Sequence, residues 1–263
     1  MERVVLDSFF NKDVLPLKIA ENVYDKVMKE VEFQDMFIQK KKLCRPGAFQ
    51  ALIREDGTYP LLRCPSEEGL IVRQFTPTIQ LIRDHLADLT GVNLNHVKIQ
   101  IYTDEKSFIQ PHTDKTLDLN PNTDIVNFRI GSTREFRITN KTNNHEISTP
   151  MIHNSVFVLG PKTNLEWMHS VKKSTEPVGA SISMVFRSVG TFLRPDGFIF
   201  GVGSRFKQEN EISNIESVLN GEEFRRKLVK GFSLENKSST NCRDEVYEEV
   251  IENTISLNLN SNV

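Results

Sequence analysis

Apolar residues recur at helical spacing in two stretches of the chain. Between 16 and 31, Ala20, Val23, Tyr24, Val27 and Val31 fall on one stripe, and between 77 and 90, Ile79, Ile82, Leu86 and Leu89 do the same. Both patterns predict amphipathic helices that lay one face on a larger body. Thr76 is placed to cap the second helix, Pro77 suits its first turn and Gly91 its end. From residue 97 the period changes to two. Val97, Ile99 and Ile101 alternate with Lys98, Gln100 and Tyr102, and apolar runs follow at 124–130, 134–138, 155–159, 180–187 and 197–200. Gly131-Ser132, Asn143-Asn144, Gly160-Pro161 and Pro195-Asp196-Gly197 punctuate them as turns. Many short strands after two helices predict an α+β chain with a mainly β core. The expected architecture is a double-stranded β-helix (jelly-roll) barrel flanked by N-terminal helices.

This divides one domain into three parts. Residues 1–96 read as a helical, substrate-lid extension, 97–203 as the jelly-roll core, and 204–263 as a C-terminal helix and acidic tail. The segment 209–229 predicts a helix interrupted near Gly221. Residues 231–263, rich in Ser, Asn and Glu, predict a partly disordered tail with a helix at 244–253.

With 263 residues and 38% hydrophobic content, one sizeable core is within reach. No run of about 18 apolar residues predicts a membrane span, and the start MERVVLDSFF lacks a signal-peptide core. Cys44, Cys64 and Cys242 have no zinc-type pairing, so a reducing cytosolic or nuclear setting is expected; a monomer is the expected state. The net charge of −2 excludes a generic basic coat for nucleic acid. The charge is uneven, however. Basic clusters stand at Lys40, Lys41, Lys42 and Arg45, at Lys172 and Lys173, and at Arg225, Arg226 and Lys227, whereas residues 231–263 are acidic.

The chemistry concentrates in Gln110-Pro111-His112-Thr113-Asp114, followed by His169 and Arg187. Two imidazoles and one carboxylate on one face of a metal leave three positions open, the arrangement that suits Fe(II) oxygen chemistry. Each piece alone is weak: a His-x-Asp arises by chance, His169 could be a core histidine, and Arg187 could be ion-paired on a strand. Strand alternation adds direction. Ser181, Ser183, Val185 and Arg187 share one face, opposite Ile182, Met184 and Phe186. If the apolar set packs outward against helices, Arg187 points inside, where it needs an anionic partner. A dicarboxylic co-substrate in two-point contact would serve, as would an acidic residue on a neighbouring strand.

On these motifs the chain resembles the AlkB-like family of Fe(II)/2-oxoglutarate dioxygenases over roughly residues 5–202. The resemblance runs through LDSFFNKDVLPLKIAENVYDKVMKEVEFQ, LADLTGVNLNHVKIQIY, HTDKTLDLNPNTDIVNFRIGSTREFRI, SVFVLGPKTNLEWMHSV and SISMVFR. It implies iron ligation by His112, Asp114 and His169, a hydrogen bond from Tyr102 to 2-oxoglutarate, and a co-substrate carboxylate contact for Arg187. Three positions depart from the family pattern. Ser181 stands where the first arginine of the family strand holds the distal carboxylate, and Ser183 and Gln100 each replace an asparagine. Arg187 is then the main anchor, with Ser181 or Ser183 as hydroxyl donors. Thr116 stands where many members carry an acidic residue that helps read the base. The reaction implied consumes O2, converts 2-oxoglutarate to succinate and CO2, and hydroxylates a C–H bond; an N-methyl target then loses formaldehyde. A base within a duplex would have to be flipped out.

The resemblance makes alkylated DNA or RNA the expected substrate, with Arg45 and Lys172 along the phosphates and Phe108 placed to stack on a base or to pack. The same chemistry on a protein or small molecule, and a non-catalytic jelly-roll binding module, are the alternatives. Trp167 reads as core or as substrate-facing.

Overall fold

The computed structural model of the protein describes residues 1–38, 40–65, 71–211, 221–240 and 243–252, without the side chains of 221–223 and 243–244. The chain opens with a hairpin, β1 (Glu2–Val5) and β2 (Ser8–Asn11), and helix α1 (Leu17–Glu30). Short strands β3 (Phe37–Ile38), β4 (Lys41–Lys42), β5 (Gly47–Ala51), β6 (Tyr59–Pro60) and β7 (Val72–Gln74) lead to α2 (Pro77–Thr90). Then follow β8 (His96–Tyr102), β9 (Ile109–His112), β10 (Ile125–Gly131), β11 (Arg134–Asn140), β12 (Glu146–Met151) and β13 (Ser155–Leu159). Helix α3 (Pro161–Glu166) precedes β14 (Trp167–Val171), β15 (Ser181–Arg187), β16 (Thr191–Leu193) and β17 (Ile199–Gly201), and α4 (Gly221–Lys237) and α5 (Arg243–Glu252) complete the series.

Two sheets organise these elements. Eight strands run in the order β1-β2-β13-β10-β15-β8-β5-β7, and four in the order β12-β11-β14-β9. The outward face of the larger sheet carries Val97, Ile99, Val126, Phe128, Ile130, Ile182, Met184 and Phe186. These pack with Val23 and Val27 of α1 and Ile79, Ile82 and Leu86 of α2 in one core. The 3.6-residue period of the helices and the two-residue period of the strands thus meet at a single apolar layer. Its inward face joins the smaller sheet in a second core containing Phe10, Tyr102, Phe136, Ile138, Phe157, Trp167 and Val171. The two sheets therefore face each other, and Trp167 is a core residue. At the β10–β11 turn Gly131 has φ +87°, and a Cβ there would stand 2.6 Å from the Ala180 carbonyl oxygen, so only glycine fits.

Several expectations need correction. The first 96 residues contribute β1, β2, β5 and β7 to the main sheet in addition to two helices. Thr76 occupies the N-cap position of α2 but makes no side-chain cap. The carboxylate of Glu30, the last residue of α1, instead accepts the Thr78 N–H at 2.9 Å and its hydroxyl at 2.6 Å. Gly91 closes α2 in the left-handed region, as expected. Gly160 and Pro161 open α3 rather than forming a bare turn between strands. At the C-terminal end, α4 is described from Gly221 onward, and the expected interruption before it falls on residues outside the described ones. The helix continues to Lys237, into the segment assigned to the tail. The parts of the expected helix and tail at 212–220 and 253–263 lie outside the described residues. Among the described residues no helix is long and apolar enough to cross a membrane.

Candidate metal and co-substrate site

His112 ends β9 and pairs in register with His169 on β14, while Asp114 lies in the loop just after β9. Their potential ligand atoms all lie within 4.8 Å of one another. His112 uses Nδ1 on the Gln110 carbonyl at 2.8 Å, which fixes the ring and leaves Nε2 for a metal. The two imidazole centroids are 4.3 Å apart, and His169 stacks on Phe136 at 5.6 Å. Asn164 of α3 clamps the Asp114 backbone, accepting its N–H at 2.9 Å and donating to its carbonyl at 3.0 Å. The Asp114 carboxylate accepts an Arg187 N–H at 2.8 Å.

Electrostatics puts this donor set in its ligating form. Burial holds both imidazoles below the ordinary histidine range, and for His112 the neighbouring His169 pushes the same way. Burial would raise the Asp114 pKa, but Arg187 and the two histidines outweigh it and hold the carboxyl well below the usual carboxylate range. Two neutral imidazoles and a carboxylate are the protonation states a hard-to-borderline divalent metal requires, so the residues fit the iron of an oxygenase.

The cavity against this cluster is lined by Lys98, Gln100 and Tyr102 of β8, Asn127 and Arg129 of β10, and Ser183, Val185 and Arg187 of β15. Arg187 thus points inward, as the alternation predicts, and its acidic partner is the nearby Asp114. Tyr102 is buried on the same wall. Of the two serines expected as alternative hydroxyl donors, Ser183 has its hydroxyl hydrogen committed. Ser183 donates to Asn127 Oδ1 at 2.9 Å, and Ser181, fully buried, accepts an N–H from Arg129 at 3.1 Å. Gln100 turns its amide toward the Met36 sulfur at 3.5 Å.

Other positions are redistributed. Arg45 is buried, its guanidinium 5.7 Å from the Tyr102 ring, and so does not belong to the surface patch of Lys41 and Lys42. Lys172 is exposed, and Lys173 lies over the half-buried Phe108 ring at 4.8 Å. Thr116 gives its N–H at 3.0 Å, and its hydroxyl, to Glu235 of α4. A carboxylate therefore does stand at this position, delivered from 119 residues downstream. Asn236 beside it accepts the Thr113 N–H at 3.1 Å and the Lys115 ammonium at 2.5 Å. The other end of the loop is braced by the buried Arg63–Asp118 ion pair.

Sequence reasoning missed Asn164, Glu235, Asn236 and Arg129. For the first three no local signal exists. Arg129 had one: with Asn127 it forms the polar half of an alternating strand whose apolar half is Val126, Phe128 and Ile130.

The family model described as 2OG-Fe(II) oxygenase superfamily matches residues 9–190. The chain is 24% identical to human DNA oxidative demethylase ALKBH2 over 181 residues, 65% of this chain and 69% of that protein. It is 23% identical to the rat alpha-ketoglutarate-dependent dioxygenase alkB homolog 3 over 171 residues, 57% of this chain and 58% of that one. The solved structure of OsALKBH1 shares the fold with a TM-score of 0.54 at 13% identity, covering 71% of this chain and 99% of its own. The protein belongs to the 2OG-Fe(II) oxygenase superfamily, on its AlkB-like branch. It is an Fe(II)- and 2-oxoglutarate-dependent dioxygenase that uses O2.

Proposed function

We propose that the protein removes alkyl groups from bases of DNA or RNA by oxidative demethylation, on a double-stranded β-helix barrel. The carrying observation is the His112, Asp114 and His169 cluster on a chain similar to two groups of AlkB homologues, one of them named as DNA oxidative demethylases. In this reading His112, Asp114 and His169 bind Fe(II). Bound iron and 2-oxoglutarate supply, with O2, a two-electron oxidation: 2-oxoglutarate leaves as succinate and CO2, and a substrate C–H becomes C–OH. From an N-methyl group, the hydroxylated product sheds formaldehyde.

The chain's own residues orient and enclose. Gln110 holds His112 by its Nδ1, and Asn164 fixes the Asp114 backbone. Arg187 keeps Asp114 ionised and oriented, and is placed for a co-substrate carboxylate beside it. Tyr102 presents its phenol to the same cavity. Facing sheets exclude water, so proximity and orientation rather than acid–base chemistry are the protein's contribution. Exposed Lys172 and the Lys173–Phe108 pair border the metal strand and suit a phosphate and a base face. Cysteines that are few and widely spaced fit a reducing compartment, cytosolic or nuclear.

The net charge of −2, the burial of Arg45 and the engagement of Thr116 by Glu235 favour a second reading, the same oxidation of a protein or small molecule. The family membership and the intact cluster set aside a non-catalytic module. Succinate and formaldehyde formation with a panel of N-methylated single-stranded oligonucleotides separates the two. Stimulation by one methylated oligonucleotide, with binding that weakens steeply with salt, is the expected result. Turnover indifferent to every oligonucleotide moves the substrate to the second class.

A further inference from the structure

Arg129 is fully buried, and the metal geometry described above does not use it. Its guanidinium donates one N–H to Ser181 at 3.1 Å and lies 4.9 Å from the Tyr102 ring centroid. Its Nε and Nη2 donors meet no partner among the described residues. Tyr102 favours the cation through its ring face and through a side-chain hydrogen bond, but neither contact satisfies the Nε and Nη2 donors. A buried charge with unmatched donors is unfavourable until an anion completes it. No described carboxylate bonds Arg129, and the guanidinium groups of Arg134 and Arg45 stand 5.8 and 5.7 Å from the same ring. Three guanidinium groups thus surround Tyr102, and the cavity that Tyr102 and Arg129 line is the one lined by His112, Asp114 and His169.

We propose that Arg129 binds the distal carboxylate of 2-oxoglutarate from β10, in the role the family pattern gives to an arginine on β15 at position 181. The register explains how the group moved. Gly131 pairs with Ser181 and Arg129 with Ser183, so Arg129 is two residues along β10 from the Ser181 level, and its side chain reaches back to that hydroxyl. A second arginine at 181 would compete for the same space; serine leaves room and supplies the acceptor that orients Arg129. Arg187 lies four residues along β15 from Ser183, a span of about 13 Å. Two arginine side chains reaching in from the ends of that span leave room for a five-carbon dicarboxylate, its keto-acid end beside the metal ligands. The inference rests on the metal and Arg187 assignments of the proposed function.

The test is equilibrium binding by calorimetry to the Fe(II)-loaded, oxygen-free protein, using 2-oxoglutarate and pyruvate, a 2-oxo acid without the second carboxylate. Arg129→Ala is expected to weaken 2-oxoglutarate at least tenfold and pyruvate less than twofold. Moving the guanidinium back, in an Arg129→Ser/Ser181→Arg double variant, is expected to restore most of the loss. If Arg129→Ala does not fold, Arg129→Lys decides, since it keeps the charge but loses the two-point contact: selective weakening of 2-oxoglutarate supports the assignment. Unchanged 2-oxoglutarate binding, or equal loss of both acids, overturns it. Wild-type protein that binds iron but neither acid overturns the underlying site assignment instead.

Discussion

The two faces of the eight-stranded sheet come from the same strands and do opposite things. The outer face, with Val126, Phe128, Ile130, Met184 and Phe186 against α1 and α2, is uniformly apolar and closed. The inner face, one residue out of phase, carries His96, Lys98, Gln100, Asn127, Arg129, Ser183 and Arg187, most of them buried. Burial of apolar groups stabilises the first, whereas each polar group of the second must find a partner or be left exposed to a desolvation cost. The fold's stability and its chemistry are therefore separated by a half-period of the strand, which predicts that mutations on the two faces fail differently.

The largest effect expected is at the cavity. His169→Ala should release iron and abolish turnover while the melting temperature moves by only a few degrees; robust 2-oxoglutarate consumption by this variant would sink the ligand assignment. Next comes the outer face. Phe128→Ala should cost about 3–5 kcal/mol in denaturant unfolding, with iron binding by the folded fraction unchanged. A loss of iron affinity larger than the loss of stability would blur the separation drawn above.

A third prediction concerns pH. Burial, with Arg187 and Lys98 adding to it, pushes the His96 imidazole down to about 3, and neither ring nitrogen has a partner among the described residues. The unfolded chain binds that proton near pH 6.5, the folded chain only near 3. Stability is thus complete above about 6.5 and falls as pH drops through the window between the two values. From pH 7 to 5, wild type should lose about 2 kcal/mol more than His96→Leu; parallel pH profiles would remove His96 as the cause. The smallest effect is on the loop. Glu235→Ala should cost about 1 kcal/mol and raise the substrate KM more than it lowers kcat, read from steady-state kinetics on the preferred substrate.

Much of this was readable from one sequence. The helices at 17–30 and 77–90 announce themselves by period, and alternation correctly sent Arg187 inward and Met184 and Phe186 outward. His112 and Asp114 were legible as a local His-x-Asp motif, and His169 through the family resemblance; the proximity of the three comes only from the pairing of β9 with β14. What was lost depended on distance along the chain. Short β5 forms on the edge that β8 offers, and β7 on the edge that β5 then offers. Arg45 looked like a surface charge because its neighbours are lysines, and only tertiary packing puts it beside Tyr102. Arg129 is a similar case. Its alternation with Val126, Phe128 and Ile130 points it inward, but nothing local places it beside Ser181 on the neighbouring strand.

The superfamily match stops at residue 190, yet Glu235 and Asn236 of α4 hold Thr113, Lys115 and Thr116, the residues flanking Asp114. Leu117 from the same loop is buried in the α4–α5 core. The residues that set this loop thus lie outside the matched stretch: a change in α4 or α5 can shift the backbone on either side of Asp114 while the strands carrying His112 and His169 stay as they are.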